Sequence, residues 1–302
     1  MDVSFAMQGL APLDGWTVLA ITAKSAGYAF ALLAMGGVLF VSVFEREAND
    51  IAPSIPRFVR RVTALCALAL LAVLLARFGI RAARISGMGT QGMLDPLMLG
   101  IVWDSPLGSA ALWRTVGAAL ALAVLARGRL ALAAATVGAV MIAISYAQVG
   151  HSLGEPRWWL GTLLAAHLLG VAFWIGALPP LYLAARGPAG AVLLHRFGRI
   201  AVGVVGLLVV AGTLFAWQMS GSPAALLGTA YGGVLLLKIG AVAALLSFAA
   251  LNKLRLVPAL AGGDAAAAVA LRRSIAWEGA IVGLVLLATA TLTSVTVPPV
   301  NL

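Results

Sequence analysis

The sequence predicts an all-α polytopic membrane protein of eight transmembrane helices. Three observations carry that reading. Hydrophobic residues make up 62% of the 302 residues and charged ones only 10%, and the mean hydropathy is +1.05; a water-soluble domain carries roughly 25% charged residues to cover its surface. The apolar runs reach the ~20 residues that a helix needs to cross a bilayer, and they lack the ~10-residue alternation of outer-membrane barrel strands. Lysine and arginine gather in alternate gaps between those runs.

The eight predicted spans are 16–44, 58–80, 105–126, 130–149, 158–184, 197–219, 231–251 and 274–296. Arg46, Arg57, Arg60 and Arg61 fall between the first and second, and Arg127 and Arg129 between the third and fourth. Arg186, Arg196 and Arg199 fall between the fifth and sixth, and Lys253, Arg255, Arg272 and Arg273 between the seventh and eighth. These thirteen share one side; only Arg77, Arg81, Arg84 and Arg157 fall on the other. The positive-inside rule makes the arginine-rich side cytoplasmic and, with an even number of spans, places both termini outside. The net charge of +10 is therefore read as topology and not as a nucleic-acid footprint. The partner that this surface implies is membrane lipid, and the expected location is the bacterial inner membrane.

A single cysteine, Cys66, excludes an intramolecular disulfide and an all-cysteine metal site. The N-terminus has Asp2 and Asp14 and no basic residue before Lys24, which argues against a cleaved signal peptide. No nucleophile–base–acid set, phosphate loop or metal-hydrolase spacing is present, so no enzyme activity is expected.

The chain aligns with itself. "AKSAGYAFALLAMGG" from Ala23 matches "AHLLGVAFWIGALPP" from Ala166, pairing Lys24 with His167. "RFVRR" from Arg57 matches "RFGRI" from Arg196, and "SPLGSAALWR" from Ser105 matches "TAYGGVLLLK" from Thr229, pairing Arg114 with Lys238. The reading is two four-helix repeats of the same orientation, 1–150 and 151–302, related by an axis along the membrane normal. The first carries extra extracytoplasmic residues at 81–104, with Met88, Met93, Met98, Asp95 and Asp104. Methionine thioethers there suit Cu(I); equally, they fit an interfacial helix that uses methionine as apolar filler.

Ionisable groups inside a bilayer cost roughly 2.5–3.5 kcal/mol each on insertion scales and need a reason. Lys24, Arg114, His167 and Lys238 all lie eight to ten residues into odd-numbered spans, about 12–15 Å below the outer face at the helical rise. One reading is a polar vestibule open to the periplasm, with Lys24, Arg114 and Lys238 along a transport path; the other is long side chains snorkelling to the interface. Arg199 and Glu278 are expected to pair near the cytoplasmic face. His151 lies in an extracytoplasmic break and His167 about 14 Å deeper along the helix, so one ion touches both only if 151–157 folds back into the bundle. Otherwise they are two stations on one route. His195 reads as an interfacial residue.

Several pieces, in order, resemble the copper resistance protein D (CopD) family. They are "GHSLG", "HLLGVAFWIGALPPL", "RFGRIAVGVVGLLVVAGTLFAW", "GSPAALLGTAYGGVLLLKIG", "ALNKLRLVPAL" and "LRRSIAWEGAIVGLVLLATATLTSVTVPP", from about His151 to Pro299. "LDPLMLGIVWDSPLGSAALWR" extends a weaker resemblance into the first half. His151, His167, Trp174, Gly176, Arg199, Tyr231, Gly232, Lys238, Asn252 and Glu278 fit the family pattern. Lys24 departs from it, standing where members often have a second histidine. The resemblance implies eight inner-membrane helices and movement of copper across that membrane, beside a small periplasmic copper-binding protein. The expected function is thus copper transport, toward the cytoplasm, with His151 and His167 as metal ligands. The alternative is a haem- or quinone-binding membrane redox protein, whose anionic groups the basic layer would receive.

Overall fold

A computed structural model describes residues 14–149, 157–220 and 229–295. Among the described residues there is no strand, and eight helices are long and apolar enough to cross a membrane. The chain is a multi-pass membrane protein. Among the described residues, ten α-helices follow in order: α1 Gly15–Ile51, α2 Ser54–Ser86, the short α3 Pro96–Trp103, α4 Pro106–Ala121, α5 Arg129–Tyr146, α6 Arg157–Ala184, α7 Ala191–Ser220, α8 Ala230–Leu251, the short α9 Val257–Ala261 and α10 Ala265–Val295. A π-helical stretch, Asn252–Leu256, joins α8 to α9 within one span.

Local chemistry sets the helix ends. Asp14 caps α1, its Oδ1 accepting from Thr17 N at 2.7 Å. Those hydrogen bonds from Thr17, with the nearby charge of Arg84, hold the Asp14 carboxyl below the usual carboxylate range. Asp95 and Ser105 cap α3 and α4, each followed by proline at the first helical position, where a missing N–H costs nothing. Thr229 caps α8 through Gly232 N. Helix α2 stops at Gly87, whose φ of 67° is a left-handed conformation that glycine adopts without strain.

Several helices run past the spans predicted from hydropathy, mostly at the arginine-rich end, although α2 also continues beyond its predicted outer end to Ser86. Helix α1 continues through Glu45, Arg46 and Glu47 to Ile51, α7 begins at Ala191 and α10 at Ala265. Hydropathy drops where charges begin, but the helix persists because those charges find partners. Arg60 binds Glu45 at 2.6 Å and the carbonyl of Ala126 at 3.0 Å, joining α1, α2 and the end of the third span. Arg196 pairs with Glu47 and lies over the Phe44 ring.

Helix α1 is the hub, packed against α2, α5, α6 and α10. Its fully buried face includes Met35, Val38, Phe40, Val41 and Phe44. Lipid offers no hydrophobic drive between spans, so close packing at small residues must hold them together. The tightest crossing joins α1 to α6: a Cβ on Gly36 would lie 2.7 Å from the Cα of Gly176 and would overlap the Ala172 carbonyl. The segments aligned by the internal repeat, 23–37 and 166–180, cross here.

The interhelical contacts fall into matched sets. The first span packs on the second as the fifth does on the sixth. The third packs on the fourth as the seventh on the eighth, and the first on the fourth as the fifth on the eighth. Between these groups, the first span meets the eighth as the fifth meets the fourth. The Met-bearing loop folds back on α2. A short 3-10 turn, Gln91–Met93, and α3 both pack against it, and Met93 lies against Gly79.

Candidate functional site

The four intramembrane groups keep a common position along their helices. Lys24, Arg114, His167 and Lys238 stand nine, eight, ten and eight residues after the first residues of α1, α4, α6 and α8. The structure divides them into two clusters.

The first cluster is basic and aromatic. Lys24 Nζ donates to the carbonyl of Thr293 at 2.6 Å, with Ser294 Oγ at 3.4 Å, both in the last turn of α10. A helix C-terminus exposes carbonyls and a partial negative charge, which a cation stabilises. Arg114 is almost fully buried. Its Nε donates to Ser145 Oγ at 3.0 Å, and its guanidinium lies 3.9 Å from the centre of the Tyr146 ring. Tyr146 in turn meets the Tyr28 ring at 5.6 Å. Arg77 reaches the same place, its Nη1 3.8 Å from where a Cβ on Gly27 would stand. By sequence Arg77 reads only as one of the four extracytoplasmic charges. Its i, i+4, i+7 spacing with Arg81 and Arg84 was the available signal that all three share one helix face.

The second cluster surrounds His167. The imidazole lies edge-on to Phe215 of α7, with ring centres 6.4 Å apart, and Lys238 of α8 lies within electrostatic range of it. His167 Nδ1 is buried and has no hydrogen-bond partner. A buried polar atom without a partner is costly, and a neutral imidazole keeps a lone pair on one nitrogen. That lone pair is what a metal ion would use. His151 lies outside the described residues. His195 is exposed near the start of α7. Among the described residues, no three His, Cys, Asp or Glu side chains come together as a metal cage.

The expected Arg199–Glu278 pair is not formed. Arg199 is exposed, whereas Glu278 is buried. Its partners are neutral: Trp174 Nε1 donates to Oε2 at 3.2 Å and Asn252 Nδ2 to Oε1 at 2.6 Å. Glu278 lies thirteen residues into α10, which starts at Ala265 rather than at 274, and its side chain turns toward α6 and the π-helical stretch rather than toward Arg199. The trio Trp174–Asn252–Glu278 links α6, the π-helical stretch and α10. All three fit the family pattern, but nothing in their spacing joins them.

Residues 191–292 match the family model described as Copper resistance protein D, and residues 13–162 match Copper resistance protein D-like, N-terminal domain. Neither a curated protein nor a solved structure gives a match.

Proposed function

The chain belongs to the copper resistance protein D family, and from that premise we propose that it carries copper across the bacterial inner membrane, from the periplasm toward the cytoplasm, using His167 as a ligand. Membership gives it a role in copper resistance and transport at a membrane. The observation that supports a ligand role is the buried, unpartnered Nδ1 of His167. Imidazole nitrogen is a good donor for copper, and a histidine that served only packing would be expected to spend both nitrogens on hydrogen bonds. His151 is proposed as the second station, nearer the outer face.

The basic cluster is proposed to border this route rather than to bind copper. Lys24 and Arg114 are committed to interhelical bonds, and cations repel a copper ion. Lys238 is the basic residue whose charge is felt at His167. Two related four-helix repeats about an axis along the membrane normal are proposed, in keeping with the matched contact sets, and the charge asymmetry of the loops is the ground for proposing both termini extracytoplasmic. A small periplasmic copper-binding protein is proposed as the donor, following the family implication.

Vesicles containing the purified protein test this. Copper supplied on the side opposite the arginine-rich face should enter faster than in protein-free vesicles, and His167→Ala should abolish the difference. Equal entry with and without protein would sink the transport reading.

A further inference from the structure

Glu278 is a carboxyl group in the middle of a membrane-spanning helix, and among the described residues no cation pairs with it. Both its oxygens are met by neutral donors, Trp174 Nε1 and Asn252 Nδ2. The charged and titratable groups on the packed elements are engaged elsewhere or lie away from it. On α1, Lys24 and Tyr28 meet Thr293 near the opposite end of α10. On α10 itself, Arg272 bonds to the Tyr182 hydroxyl of α6 at 2.9 Å, and Arg273 is exposed. His167 of α6 lies edge-on to Phe215 of α7, and no ion pair joins Lys238 of α8 to Glu278. Arg255 of the π-helical stretch is exposed, and Lys253 beside it makes no ion pair with Glu278.

Two further observations converge on the same spot. Asn252 Oδ1 and Ser274 Oγ are buried and have no hydrogen-bond partner, and Ser274 stands one helical turn before Glu278. Asn252 also opens the π-helical stretch Asn252–Leu256; such irregular turns are frequent at functional sites. The surroundings therefore serve both forms of the carboxyl. The ionised form accepts from the indole and the amide. The neutral acid needs an acceptor for its O–H, and half a turn of the Asn252 amide brings the free Oδ1 to Oε1.

We propose that Glu278 is a proton-exchange site inside the membrane, with the Asn252 amide turning from donor to acceptor as the proton arrives. A proton from water adds to a lone pair of Oε1, giving the neutral acid; its return to water restores the carboxylate, and no bond to carbon or electron transfer is involved. In a bilayer, an uncompensated carboxylate is costly enough that loss and gain of its charge bias the packing around it. The element poised to respond is the π-helical stretch. Resting on the copper-transport reading, the site supplies a proton that can be exchanged against the cargo.

The test is infrared difference spectroscopy of the full-length protein in lipid, titrated from about pH 5 to about pH 8. A carboxylic C=O band should appear as the pH falls, shift on exchange into heavy water, and be lost in Glu278→Gln. Trp174→Phe removes one donor to the ionised form, so the midpoint of the same band should move toward higher pH. A band that titrates identically in wild type and Glu278→Gln, or no titrating band at all, overturns the proposal. In vesicles with an imposed pH gradient, copper entry should respond to the gradient in wild type and not in Glu278→Gln; an unchanged response in the variant overturns the coupling. Absence of copper entry in wild type would instead count against the transport reading and leave the spectroscopic result to decide the proton site.

Discussion

Lys24 and Thr293 tie the first membrane span to the last: the ammonium donates to the backbone carbonyl at 2.6 Å, in the final turn of α10. This contact gives an intramembrane lysine a structural reason. Lys24→Met should lower the stability in lipid or detergent by about 0.6–2 kcal/mol for one interhelical polar contact, seen as a lower unfolding midpoint. It should leave copper content unchanged, because His167 lies in the other cluster. Unfolding curves beside metal analysis check this; lost copper with an unchanged midpoint would place Lys24 on the route after all.

Gly36 and Gly176 make the α1–α6 crossing possible. Gly36→Leu forces the two backbones apart at the hub of the bundle. Overpacking usually costs about 1–3 kcal/mol, and here the obstructing atoms are backbone that no rotamer change can move. The expected result is a sharp fall in monodisperse protein on size-exclusion chromatography. A normal yield and midpoint would mean that the crossing is looser than the structure has it.

The Asp14 cap carries a pH dependence of known sign. Its carboxyl is held below its ordinary range by the Thr17 bonds. The capping contribution is therefore full above the unfolded-state pKa and is lost as pH falls through the lower folded value. Amide exchange in the first turn of α1 should quicken in acid in wild type, relative to the same turn of Asp14→Asn, whose side-chain oxygen caps without titrating. Identical acid profiles in the two proteins would contradict this.

Much of the fold was legible because a bilayer leaves few choices. A span must be helical, about 20 residues long and apolar, and all eight appear. The helix ends on the charged side were less legible: hydropathy falls at Glu45 whether or not the helix continues, and the partners that keep it helical, Arg60 and Arg196, are distant in sequence. Glu278 shows the same limit: a carboxylate near a hydropathy boundary reads as a cytoplasmic ion-pair partner, and only the packing of α6 and the π-helical stretch on α10 brings Trp174 and Asn252 to it. His167 was legible as an isolated polar residue in an apolar run. That its Nδ1 lacks a partner is a property of packing, and no sequence pattern carries it.

The most direct measurement is the copper content of the purified protein in lipid after equilibration with copper under reducing and oxidising conditions, for wild type and His167→Ala. The account predicts near-stoichiometric copper in wild type under at least one condition and its loss in the variant, with the unfolding midpoint preserved. Equal copper in the two proteins, or none in either, would contradict His167 as a ligand.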